Sequence, residues 1–102
     1  MIMFRQSLYL GEGARKDKNN IIRNIRKHKF QMGVYVISLC ANHRDIFDII
    51  PTFMLGKDDY KGRDITVLGL ARGREEAFEL VGRMILDSME AGSENDVRGY
   101  FS

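Results

Sequence analysis

Six polar side chains follow predicted strands closely enough to bind one anion together. Helices begin where parallel strands end, and their free backbone N–H groups and partial positive charge favour phosphate or carboxylate. Arginine adds a planar fork of donors that suits the same groups. The sequence therefore predicts an anion-binding edge at the strand ends, with Glu12 opposing it locally. The residues of this predicted site are Arg15, Asn42, His43, Arg44, Arg72 and Arg74.

The glycine-containing turn beside this edge matches no nucleotide-binding motif. Gly11-Glu12-Gly13 lacks the third glycine of the dinucleotide fingerprint, because position 16 is Lys. The sequence also lacks Gly-Lys-Ser or Gly-Lys-Thr, the ending that nucleoside-triphosphate loops share. We therefore assign no cofactor, and we expect any ligand of this edge to be a small anion.

A basic segment over residues 15–29 supports an alternative function, nucleic-acid binding. It holds seven Lys and Arg residues against the single Asp17, and such cations supply much of the affinity for phosphates. The same pattern is also the ordinary form of a solvated amphipathic helix. No platform for stacking bases is apparent, since Phe30 comes at the helix end and Tyr35 lies in a covered strand. The candidate contacts are Lys16, Arg23, Arg26 and Lys27.

A catalytic role is the weakest of the alternatives. Cys40 and His43 are close in sequence and could form a thiolate pair at a strand end. A lone Cys that ends an apolar strand is, however, typical of a small buried hydrophobe. A metal site would need further ligands, and the other histidine is His28 on the basic segment. We therefore expect a non-enzymatic binding or regulatory domain without a metal, with the small enzyme as the lesser alternative.

Three apolar runs and three amphipathic segments alternate along the chain and would position these residues. Strands are predicted at residues 4–10, 34–40 and 65–71, the second of them almost wholly apolar, as in a strand covered on both faces. Helices are predicted at 15–29, at 44–55, and from residue 73 or 74 to a cap at Gly92. Pro51 would remove a hydrogen bond inside the middle helix, so we expect that helix to be kinked or divided.

This β-α-β-α-β-α order predicts an α/β fold with a small three-stranded, mainly parallel sheet and right-handed crossovers. Residues 1–102 contain no repeat, linker or low-complexity tract, so we expect one domain. A ferredoxin-like α+β arrangement is the alternative, provided that residues 93–102 add a strand at the edge of the sheet.

Composition and charge favour a cytoplasmic protein that pairs with itself. No apolar run reaches the length of a membrane helix, the first residues lack the pattern of a secretion signal, and one Cys in 102 residues fits a reducing interior. The net charge of +2 at pH 7 conceals an acidic segment over residues 75–96. A homodimer could join the basic helix of one copy to the acidic helix of the other. Its candidate apolar contacts are Leu86, Tyr100 and Phe101.

Overall fold

The computed structural model of this chain describes residues 1–40, 45–57 and 60–102. Four strands form one mixed sheet in the order β1-β4-β2-β3. They are β1 (Ile2–Leu10), β2 (Val34–Leu39), β3 (Phe47–Pro51) and β4 (Ile65–Arg72). The first and fourth strands are parallel, whereas β2 runs antiparallel to both β4 and β3. The predicted α/β class is therefore confirmed, but the predicted three-stranded, mainly parallel sheet is wrong.

Helices and turns connect these strands and cover both faces of the sheet. The helical elements are α1 (Glu12–Arg15), α2 (Lys18–Arg26), a 3₁₀ turn (Thr52–Met54), α3 (Arg74–Glu90) and α4 (Val97–Phe101). None of the helices in the described ranges has the length and apolar character needed to cross a bilayer.

The predicted middle helix over residues 44–55 is wrong, because its described part contains β3 followed by the 3₁₀ turn. Ile49 and Ile50 belong to different core clusters on the two faces of the sheet, as the two-residue period of a strand requires. Pro51 ends this strand at the edge of the sheet, where a missing N–H costs least. The apolar residues of this short run suit both the two-residue period of a strand and the 3.6-residue period of a helix, and the proline favours the strand.

The predicted basic helix over residues 15–29 is shorter than expected, because α2 spans only Lys18–Arg26 and Arg15 ends the separate α1. His28 adopts a left-handed backbone conformation with φ of +56°. The His28 N–H donates to the carbonyl of Ile25, and the Lys29 N–H donates to that of Asn24. These two bonds form a Schellman motif, which ends α2.

Two core clusters lie on opposite faces of the sheet. Ile21 and Ile25 bring α2 onto one face, where Val36, Val67 and Leu70 are buried. On the other face, Ala77, Leu80 and Met84 bring α3 onto Ile37 and Leu68. The basic helix and the acidic helix are therefore separated by the thickness of the sheet.

The end of the chain agrees with the predicted last helix but not with an added strand. The long helix α3 runs from Arg74 to Glu90, and Gly92 follows it with φ of +81°. Residues 93–102 contain α4, so the ferredoxin-like alternative with a C-terminal edge strand is wrong. Phe101 of α4 is buried against α3's face of the sheet, in ring contact with Tyr9 and Phe47.

Candidate nucleic-acid interface

The strand ends that were expected to form one anion-binding edge do not all meet. Val34, which begins β2, pairs with Arg72, which ends β4. Because β2 is antiparallel to β4, the carboxyl end of β2 at Leu39 lies at the opposite end of the strands from Arg72. The expectation that three strand ends converge is thus wrong. Three residues of the predicted site, Asn42, His43 and Arg44, lie outside the described residues.

The remaining edge already holds a carboxylate, that of Glu76. Its oxygens accept hydrogen bonds from the backbone N–H groups of Gly13 at 2.6 Å, Ala14 at 3.3 Å and Arg72 at 2.6 Å. A Cβ at Gly11 or Gly13 would collide with this carboxyl group. The Gly-Glu-Gly turn is therefore a cradle for one of the chain's own side chains.

The arginines of this edge are also largely engaged. The Arg72 guanidinium is 2.9 Å from the Asp17 carboxylate, and Arg74 lies over the ring of Phe78 at 5.8 Å. Arg15 lines a hollow of about 420 Å³ together with Glu12, Glu76, Glu79 and Arg83. An incoming anion would meet three carboxylates there, so anion binding at this edge stays a prediction without structural support.

The described part of the proposed thiol site does not favour catalysis. Cys40 is buried, with 6% of its surface exposed, and its N–H donates to the carbonyl of Ile46. His43 lies outside the described residues. Over the described ranges, no three His, Cys, Asp or Glu side chains are placed to hold a metal ion.

Cations converge instead on the side of the sheet covered by α2, around three hollows that share residues. The hollow along α2, of about 540 Å³, shares Arg26 with a second of about 570 Å³. The second shares His28 and Leu55 with a third of about 240 Å³. We call the surface formed by these three adjoining hollows the basic groove. Its basic residues are Lys18, Arg23, Arg26, Lys27, His28, Lys29, Lys57, Lys61 and Arg63.

The charge of the groove is uncompensated in the part of the chain that the structure describes. No described Asp or Glu lines any of its three hollows, and none of the nine basic side chains belongs to an ion pair among the described residues. At the border of the second hollow, the amino group of Met1 pairs with Asp64 at 3.3 Å. Asp58 and Asp59, which follow Lys57, lie outside the described residues. The acidic α3 packs on the other face of the sheet, so its carboxylates are kept away from a ligand in the groove.

An exposed aromatic pair borders the groove. Phe30 and Phe53 are 68% and 46% exposed, and their ring centroids are 5.9 Å apart. Both line the third hollow beside Lys29 and Lys57. Aromatic faces beside cations are the usual means of holding unpaired bases. The structure thus places two exposed aromatic side chains beside the cations, a juxtaposition that the sequence did not reveal.

The sequence located only part of this surface. Of its four predicted contacts, Arg23, Arg26 and Lys27 line the groove, whereas Lys16 is exposed but lines none of the three hollows. The groove residues that were not among the predicted contacts come partly from the basic segment itself, at Lys18, His28 and Lys29, and partly from the far side of the groove, between Phe53 and Arg63. The positive charges of Lys57, Lys61 and Arg63 are visible in the sequence, but they lie more than 25 positions from the basic helix. Only the fold brings the two groups together.

Comparison with known proteins adds no assignment to this geometry. The chain matches no protein-family model, and no matching curated protein or solved structure was found.

Proposed function

We propose that this chain binds single-stranded nucleic acid in the basic groove. One observation carries the proposal: three connected hollows are lined by nine basic side chains and by no described carboxylate. Lys and Arg neutralise phosphates and release counterions, which is the main source of affinity for a polyanion.

The aromatic pair favours single strands over duplexes. Phe30 and Phe53 are exposed aromatic side chains that line the third hollow of the groove. A base can stack on such a ring only when it is unpaired and splayed from its neighbours. Every base has such a face, so we expect weak sequence preference.

The strand-end edge is the less favoured site for an anion. Glu76 and Asp17 already neutralise its donors, and Glu12 and Glu79 repel a second anion. A ligand in the groove would not have to displace a carboxylate of the chain's described residues.

The test is the fluorescence anisotropy of a labelled, unstructured oligonucleotide of about 15 nucleotides, a length that suits site sizes of single-strand binders. The same sequence as a duplex is the comparison. We expect tighter binding of the single strand, and a large loss when Arg26 and Lys27 are both changed to Gln.

Arg15→Gln with Lys16→Gln is the matched control. It removes the same charge from exposed positions that do not line the groove. Equal losses in both double variants would show that binding follows net charge alone, and would overturn the assignment to the groove.

A further inference from the structure

The outward face of α3 carries an apolar surface that the fold leaves uncovered. Phe78, Leu86 and Met89 are 56%, 54% and 49% exposed. Phe78, Gly82 and Leu86 are spaced four residues apart and so lie along one side of the helix. A Cβ added at Gly82 would meet nothing within 4 Å, so the helix has a notch between the two large side chains. We call Phe78, Gly82, Leu86 and Met89 the α3 ridge.

The ridge has an acidic flank next to Leu86, whereas the Arg74 guanidinium lies over the ring of Phe78 at 5.8 Å. Glu75, Glu79 and Glu90 are exposed, and at about 100° per residue they lie on the flank of the helix next to Leu86. An apolar surface of this kind suits a partner with large apolar side chains and a basic border.

The opposite side of the molecule has that complementary character. Phe30 and Phe53 are exposed there, beside Lys29 and Lys57. We propose that the α3 ridge binds the Phe30–Phe53 pair of a second copy of this chain, with the lysines of one copy facing the glutamates of the other.

This contact joins two different surfaces, which lie on opposite faces of the sheet. Such a contact leaves one ridge and one aromatic pair free at the ends, so it extends into an open chain rather than closing as a dimer. A two-fold pair of α3 helices would instead place Glu75, Glu79 and Glu90 of both copies side by side, where they repel.

The inference goes beyond the proposed function but shares Phe30 and Phe53 with it. A bound oligonucleotide therefore competes with assembly. The α3 ridge has no part in nucleic-acid binding, so a ridge variant separates the two proposals. It loses assembly, and at protein concentrations where the wild type is monomeric it keeps the affinity of the wild type for the oligonucleotide.

The test is sedimentation velocity on the wild type, on Phe30→Glu, and on the double variant Phe78→Ala, Leu86→Ala. All three substitutions are at exposed positions, and circular dichroism checks that each variant folds. We expect the mass of the wild type to rise continuously with concentration, and each variant to stay monomeric at the same concentrations.

Mixing the two variants is the decisive step, because one retains an intact ridge and the other an intact aromatic pair. We expect the mixture to form a 1:1 dimer and to stop there, since the remaining surfaces are both disabled. A wild type that stays monomeric at millimolar concentration, a Phe30→Glu protein that still associates, or a mixture that stays monomeric would each overturn the proposal. Met89→Glu replaces the double variant if the latter does not fold.

Discussion

Phe30 is the side chain whose loss should most directly reduce binding of unpaired bases. It is exposed and lies against Phe53, so its removal leaves the backbone fold intact. Stacking on an aromatic ring contributes about 1–3 kcal/mol per base. We expect Phe30→Ala to weaken oligonucleotide binding roughly 5- to 150-fold by anisotropy.

Phe78→Ala is the control for this change, because it removes another exposed ring, 56% against 68% for Phe30, from the other face of the sheet. An unchanged affinity in the Phe30 variant, or an equal loss in both, would contradict stacking at Phe30.

Tyr9 is the residue whose ionisation should be most visible in stability. Burial, followed by the hydrogen bond that its hydroxyl donates to Asp87 at 2.9 Å, raises the pKa of Tyr9 to about 12 from 10.0. The folded protein thus holds this proton more tightly than the unfolded chain does. The resulting stability is complete below pH 10 and is lost as the pH rises from 10 to 12.

We expect urea denaturation to show a steeper fall in the free energy of unfolding of the wild type than of Tyr9→Phe across that interval. Below pH 10 the difference between the two proteins should be constant. Parallel curves from pH 10 to 12 would mean that Tyr9 is not held in its neutral form.

At the scale of elements, the turn between β1 and α1 depends on its contact with the first turn of α3. The Glu76 carboxylate accepts hydrogen bonds from the N–H of Gly13 in this turn and from the N–H of Arg72 at the end of β4. Gly11 has no side chain, and the Glu76 carboxyl group fills that space. We expect Gly11→Ala to destabilise the fold by about 1–3 kcal/mol, the usual cost of forcing an extra methyl into a packed site.

A double-mutant cycle isolates the cause. In a Glu76→Ala background the added methyl has no carboxyl group to meet, so Gly11→Ala should cost at least about 1 kcal/mol less than in the wild type. Additive losses in chemical denaturation would place the strain of Gly11→Ala elsewhere.

The same elements show what a sequence of this kind reveals and what it does not. The runs at 34–40 and 65–71 were readable as strands because they are apolar and β-branched, and α3 because its buried residues keep a helical period. The segment around Ile49 and Ile50 was not readable, since four apolar residues fit two periods. The direction of a strand depends on which strands pair with it, and the sequence does not show this pairing. We therefore expected β2 to be parallel, whereas it is antiparallel.

The candidate site illustrates the same limit. The Gly-Glu-Gly turn was recognised as a place for an anion, but the anion is Glu76, more than 60 positions away. The aromatic pair was missed because Phe30 and Phe53 come from segments that only the folded sheet brings together.

At the scale of the whole molecule, a net charge of +2 is divided by the sheet into two unlike faces. Cations gather around α2 and the residues that follow β3, whereas the carboxylates of α3 lie on the far face. A near-neutral protein can thus attract a polyanion on one side. The cytoplasmic location expected from the sequence stays a prediction.

The central claim, that phosphates bind in the basic groove, is tested most directly by the salt dependence of oligonucleotide affinity. Each phosphate engaged on a single strand contributes about −0.7 to the slope of log affinity against log salt concentration. If about five groove cations are engaged, we expect a slope of about −3.5, reduced in magnitude by about 1.4 when Arg26 and Lys27 are both changed to Gln. A slope near zero, or one that this double variant leaves unchanged, would contradict the account.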